Sequence, residues 1–100
     1  MDAEQKWRLG QQGYEEARYR FVLTELDLAI TFANVALSSQ HPETRQRNIG
    51  HAQQAYDSAA RQLNKQPLSM EKERAVQTRI RKLNKLFKKF PSQERGISSR

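Results

Sequence analysis

Few side chains in this sequence could act as nucleophiles, metal ligands or general bases. The 100 residues include no cysteine and only two histidines, His41 and His51. Without cysteine there is no thiolate nucleophile, and the usual structural zinc sites cannot form. The sequence also lacks a nucleophilic triad motif and a glycine-rich phosphate loop. These features predict no enzymatic activity, no metal site and no cofactor.

One pair of residues has the types and spacing of a catalytic motif. Arg45 precedes His51 by six positions, and the segment resembles the Arg-and-His signature of the HEPN ribonucleases, which are also helical. The resemblance covers these two residues and would imply an RNA-cleaving site. Two residues six apart on a helix point about 120° apart, so they converge poorly. The alternative is that Arg45 lies along the bundle and His51 is half exposed.

Basic residues are concentrated near the end of the chain. Residues 1–70 hold eight basic and eight acidic side chains, whereas residues 71–100 hold ten basic and three acidic. Six cations fall on one predicted helix face, within an arc of about 120°: Arg74, Arg81, Lys82, Lys85, Lys88 and Lys89. This face could bind phosphates or an acidic partner. It could equally be a solvated surface, as most runs of charge are.

Prolines and apolar spacing predict the elements that position these residues. Pro42, Pro67 and Pro91 divide the chain into long segments free of proline, and alternating strand patterns are missing. Short links between long helices force antiparallel neighbours. The predicted fold class is all-α, an antiparallel (up-down-up) three-helix bundle over residues 14–90. Its helices are placed near 15–39, 42–64 and 70–89.

The first helix is apolar over roughly two thirds of its circumference, which predicts a central position between two neighbours. One apolar set faces the core: Tyr19, Val22, Leu23, Leu26, Ile30, Ala33 and Leu37. A second set, on another side, contains Phe21, Leu28, Phe32 and Val35. We expect this second set to be covered by the segment around Trp7 or by a second copy of the chain. The remaining polar wedge is interpreted as facing water: Thr24, Asp27, Thr31, Asn34 and Ser38.

The other helices have narrower apolar stripes. On the second helix the stripe is Ile49, Ala52, Tyr56, Ala59 and Leu63; on the third it is Val76, Ile80, Leu83, Phe87 and Phe90. Residues 1–13 are predicted to be a loose arm or a short helix, and residues 91–100 a flexible tail. The acidic, polar start does not resemble a signal peptide. The stretch Leu26–Leu37 is judged too short and too polar to span a bilayer. The absence of cysteine favours a reducing, cytoplasmic setting. Binding of helix 3 to an anionic membrane is a less favoured alternative, because it competes with burial of the same apolar stripe in the bundle.

Two fold-level resemblances accompany this plan. Ala52, Tyr56 and Ala59 resemble the second helix of tetratricopeptide repeats, and the three-helix plan is similar to microtubule-interacting-and-trafficking domains, which bind partner helices. Neither implies site residues. The main functional interpretation is a small non-enzymatic binding module for a protein partner, or for itself through helix 1. The alternative is sequence-independent nucleic-acid binding through the basic face, with a HEPN-like ribonuclease as a third hypothesis.

Overall fold

A computed structural model describes the backbone of residues 3–91 and the side chains from residue 13 onward. It contains three α-helices: α1 (Ala3–Ser38), α2 (Pro42–Lys65) and α3 (Met70–Phe87). Residues 3–91 include no strand. The predicted all-α fold class is therefore confirmed, and α2 and α3 begin where the sequence placed them.

The first helix begins earlier than the sequence indicated. The sequence predicts a loose arm or a short helix over residues 1–13, whereas the backbone is helical from Ala3 and continuous with the rest of α1. Gly10 and Gly13 each cost about 1 kcal/mol in a helix but do not break it. Fourteen helical residues span about 21 Å, so the backbone at position 7 is far from Phe21 and cannot fold over it. The Trp7 side chain and the predicted tail beyond Pro91 lie outside the described residues.

Contacts between side chains fix the direction of each helix. Arg18, near the middle of α1, contacts the last turn of α2, so these two helices are antiparallel. Lys72, at the start of α3, contacts Glu15, and Arg79 contacts Asp27 further along both helices. α3 therefore runs parallel to α1, and the up-down-up order is confirmed.

The central position of α1 is also confirmed. Both other helices pack against α1, whereas no Cα atoms of α2 and α3 within residues 3–91 approach to 8 Å. The predicted core side of α1 is buried or partly buried, with Val22, Leu26 and Ala33 fully enclosed. Ala55 and Leu86 are buried beyond the predicted stripes. Within the described residues no helix packs on the rest of α1, although its two borders line surface grooves with α2 and with α3.

Candidate functional site

The side of α1 on which no helix packs within the described residues carries a row of exposed large apolar side chains. Phe21, Leu28 and Val35 are 41%, 43% and 44% exposed, and Tyr14, one interval earlier, is 56% exposed. These residues are spaced seven apart, so they follow one line along the helix. We call this surface the outer face of α1; beside its apolar row lie the exposed small residues Ala17, Thr24, Thr31 and Ser38.

The hydroxyl groups on the outer face are partly withdrawn from solvent. Thr31 Oγ1 donates to the backbone oxygen of Asp27 at 3.0 Å, and Ser38 Oγ donates to that of Asn34 at 3.1 Å. Such bonds to the preceding turn use the hydroxyl proton and leave the aliphatic part of the side chain outermost. The wedge predicted to face water does face it, but it is less polar than its residue types suggest.

Phe32 does not belong to this exposed row. Its ring lies 5.0 Å from the ring of His51 on α2, centroid to centroid, and it packs against the core. The expectation that the whole second apolar set needs a cover beyond helices 2 and 3 is therefore wrong for Phe32, because α2 supplies that cover. Phe21, Leu28 and Val35 stay more than two fifths exposed in the described part of the chain, although Leu28 also lines a groove with His51 of α2.

Charged residues line the α3 side of the outer face. Asp27 Oδ1 accepts a hydrogen bond from Arg79 Nε at 2.8 Å, which ties α1 to α3. Arg20 reaches Glu16 at 3.4 Å, but its side chain is 77% exposed and this pair is weak. Arg20 and Asp27 are one seven-residue interval apart, have opposite charges and lie along the same edge.

A second ion-pair cluster joins the start of α3 to α1. Lys72 Nζ lies 3.0 Å from Glu15 Oε1 and 3.2 Å from Glu16 Oε1. The hydrogen bond from Lys72 lowers the pKa of Glu16, and the hydrogen bonds to Glu15 and Glu16 raise the pKa of Lys72. The same ammonium lies 5.5 Å from the centre of the Tyr19 ring. This cluster helps to fix how α3 is placed on α1.

All six predicted cations lie on the solvent side, although α3 ends at Phe87 rather than near residue 89, so Lys88 and Lys89 lie in the turn that follows it. Arg74, Arg81, Lys82, Lys85, Lys88 and Lys89 are exposed. Val76, Leu83 and Leu86 face the core on the other side. Among the described residues none of the six has a carboxylate within 4 Å, whereas Lys72 and Arg79 on the same helix are paired. The predicted basic face is therefore a continuous surface of cations without ion-pair partners in the described part of the chain.

The structure gives Arg45 and His51 different neighbours. Arg45 Nη1 donates to the backbone oxygen of Ser39 at 3.1 Å, where α1 meets α2. His51 is exposed and its ring packs on Phe32. Six helical residues also separate the two by about 9 Å along the axis. Within the described range, no three histidine or carboxylate side chains are grouped so that they could hold a metal ion.

Arg18 is a buried cation that the sequence reading missed. It is only 4% exposed, and its Nη1 donates to the backbone oxygens of Gln62 at 3.0 Å and Gln66 at 2.7 Å. These carbonyls lie at the C-terminal end of α2, where backbone acceptors lack helical partners and a positive charge is favourable. The sequence pattern could have indicated this burial, because Arg18 falls on the same apolar side of α1 as the buried Val22 and Ala29.

The length and apolar composition of α1 raise the question of whether it could span a membrane. Within the described residues one stretch, Gly13–Ser38, is long and apolar enough to cross a bilayer. The prediction that no segment could span a bilayer considered only Leu26–Leu37, whereas the longer stretch is sufficient by length and composition. The finding is only weak support for a membrane span, because the central helix of a bundle meets the same criteria and a third of this stretch is buried against α2 and α3.

Comparisons with protein-family models, with curated proteins and with solved structures each find no match for this chain. Function is therefore inferred from its surfaces alone.

Proposed function

We propose that this chain is a small, non-enzymatic helical binding module of the cytoplasm that binds a protein partner through the outer face of α1. The supporting observation is the row of Phe21, Leu28 and Val35, each more than two fifths exposed on the central helix of the bundle. Single exposed apolar residues are ordinary, but a contiguous row beside uncharged small residues is typical of an interaction surface.

The size of this row suggests a modest affinity. Covering the exposed part of three such side chains removes roughly 240 Å² of apolar surface from water, which is worth about 6 kcal/mol before any cost. Association costs at least about 4 kcal/mol in lost freedom of motion. The outer face therefore needs flanking contacts to bind well, and the edge with Arg20 and Asp27 provides charged groups for them.

Site-specific photo-cross-linking tests this proposal. A benzophenone amino acid replaces Leu28 in the full chain, in cells that express it. A control chain carries the same group at Met70, which is 74% exposed but lies at the start of α3, away from the outer face. We expect a discrete protein adduct from position 28 and none from position 70. If position 28 gives no adduct, or if both positions give the same adducts, the proposed binding surface is wrong.

A second candidate function is the binding of a polyanion, such as nucleic acid, through the basic face of α3. It is favoured by six exposed cations that have no carboxylate partner among the described residues. Neutralising about five phosphates would give a slope of log K against log salt near −4 to −5. Titrating labelled DNA and RNA at several salt concentrations measures this slope. No binding at low salt, or binding that ignores salt, would exclude the candidate.

Matched variants separate a specific surface from net charge. Replacing Arg81, Lys85 and Lys88 by Gln should flatten the salt slope, because all three side chains are exposed, the first two on α3 and Lys88 at its C-cap, and can change without unfolding the helix.

The control removes the same charge elsewhere: Arg20, Arg47 and Arg61, all exposed on the other two helices, are replaced by Gln. If both triple variants lose binding equally, net charge is responsible and the basic face is not a binding site.

A further inference from the structure

We infer that the outer face of α1 binds a second copy of this chain, with the two α1 helices antiparallel. This inference rests on the proposed function and names its partner. It starts from the alternation of large and small residues along the face. Phe21, Leu28 and Val35 are large, and the positions three residues after the first two, Thr24 and Thr31, are small.

This alternation favours antiparallel pairing. In a parallel pair each residue faces its own copy, so thick layers of two large side chains would alternate with thin layers of two small ones. An antiparallel pair can be set so that Phe21 faces Thr24 and the other large residues also face small ones, which keeps the distance between the helices even. The structure thus offers a surface that is complementary to itself.

The edge of the outer face that carries Arg20 and Asp27 favours one register of the antiparallel pair over the others. Placing Phe21 opposite Thr24 of the second copy also places Leu28 opposite Ala17 and Tyr14 opposite Thr31. Arg20 then lies within about 3 Å, measured along the axis, of Asp27 of the second copy. By symmetry this opposite-charge pair forms twice.

The neighbouring antiparallel registers are disfavoured, because they bring like charges of Arg20 or of Asp27 together. Sliding one helix by seven residues in one direction brings Asp27 beside Asp27 of the second copy. Sliding it the other way brings Arg20 beside Arg20. Like charges at close range are unfavourable and exclude competing arrangements. Arg20 is free to take part, since its contact with Glu16 is long and solvent-exposed.

The contact area predicts a weak dimer. In this register the α1 backbones overlap along about 45 Å, and a strip about 10 Å wide then covers roughly 450 Å² on each copy. That is about half the area per partner of a standard stable interface, which places the complex among transient ones. We therefore expect monomer at low concentration and dimer in the range of about 10–100 μM.

Sedimentation of the full chain over a concentration series tests the inference. Leu28→Gln should raise the dimer dissociation constant at least tenfold, because the change acts twice in a symmetric pair. Met70→Gln, an equally conservative change of an exposed apolar residue off the face, should leave it unchanged. A chain that stays monomeric at about 1 mM, or equal effects of the two variants, would overturn the inference.

Charge reversal tests the register. Arg20→Asp should weaken the dimer by placing like charges together, and adding Asp27→Arg should restore it by exchanging the two partners. Circular dichroism checks that each variant keeps its helical content, because Asp27 also pairs with Arg79. If the double variant is no better than Arg20→Asp alone, the inferred register is wrong.

Disulfide cross-linking tests the orientation, and the chain has no native cysteine to interfere. In the inferred register Thr24→Cys lies about 4.5 Å along the axis from its own copy, whereas Ser38→Cys lies about 46 Å away. The first variant should form a covalent dimer much faster than the second. Equal rates would refute the antiparallel pair.

Other occupants of the outer face give distinct results. A cross-link from position 28 to a different protein, with no dimer in sedimentation, would overturn this inference and leave the proposed binding function standing. The monomer could instead cosediment with anionic phosphatidylserine vesicles, and this binding could be lost in Leu28→Gln but kept in Met70→Gln. That result would overturn both the inferred dimer and the proposed protein binding, and would assign the outer face to membrane binding. An adduct of twice the chain's mass supports the inference.

Discussion

Replacing Arg18 by Met should destabilise the protein strongly, although Arg18 lies outside both candidate binding surfaces. The change removes two hydrogen bonds from a charged donor to the backbone oxygens of Gln62 and Gln66, at 3.0 and 2.7 Å. Hydrogen bonds to charged groups contribute about 1.5–3 kcal/mol each. Part of this is recovered, because burying a guanidinium is costly and its Nε has no hydrogen-bond partner among the described residues. We expect a net loss of about 2–4 kcal/mol.

Urea unfolding followed by circular dichroism measures this loss. For a chain of this size the urea dependence is about 1.5 kcal/mol per molar, so the midpoint should fall by roughly 1.3–2.7 M. The control is Arg20→Met, two residues away on the exposed side of α1, which should change stability by less than about 0.5 kcal/mol. If Arg18→Met and Arg20→Met shift the midpoint equally, Arg18 does not hold the end of α2 and the reasoning fails.

Three further predictions concern the core, a helix interior and an ion-pair cluster. Leu26→Ala should cost about 2–5 kcal/mol in denaturant unfolding, because Leu26 is completely enclosed; a loss under about 1 kcal/mol would contradict the central position of α1. Gly50→Ala should raise the melting temperature, with a gain of about 1 kcal/mol, because a Cβ at Gly50 meets nothing within 4 Å; a lower melting temperature would show a hidden contact. Lys72→Gln should raise the pKa of the Glu16 carboxyl towards its usual value in an NMR titration. Since a lowered carboxyl pKa gives stability that is lost as pH falls through it, the variant should also lose less stability on acidification; an unchanged Glu16 pKa would mean that Lys72 does not pair with it in solution.

Much of the fold could be predicted from the sequence because helices depend on local rules. Pro42 fits the first position of a helix and fixes the start of α2. Apolar residues at helical spacing identified the core side of α1, with Leu26 and Val22 among its enclosed members. The six cations of α3 were assigned to one exposed face by the same periodicity, which needs only the rotation per residue.

The tertiary structure decided what each side of α1 contacts. Periodicity identified two apolar sets but could not say that α2 covers Phe32 while leaving Leu28 exposed, because that depends on how far around α1 each neighbour lies. Nor could it show that Arg18 is buried, since its partners are backbone oxygens more than forty residues away. The sequence by itself determined three helices and their apolar faces. Packing decided which apolar face remained open, because within residues 3–91 two helices cover the central one and neither packs on that face.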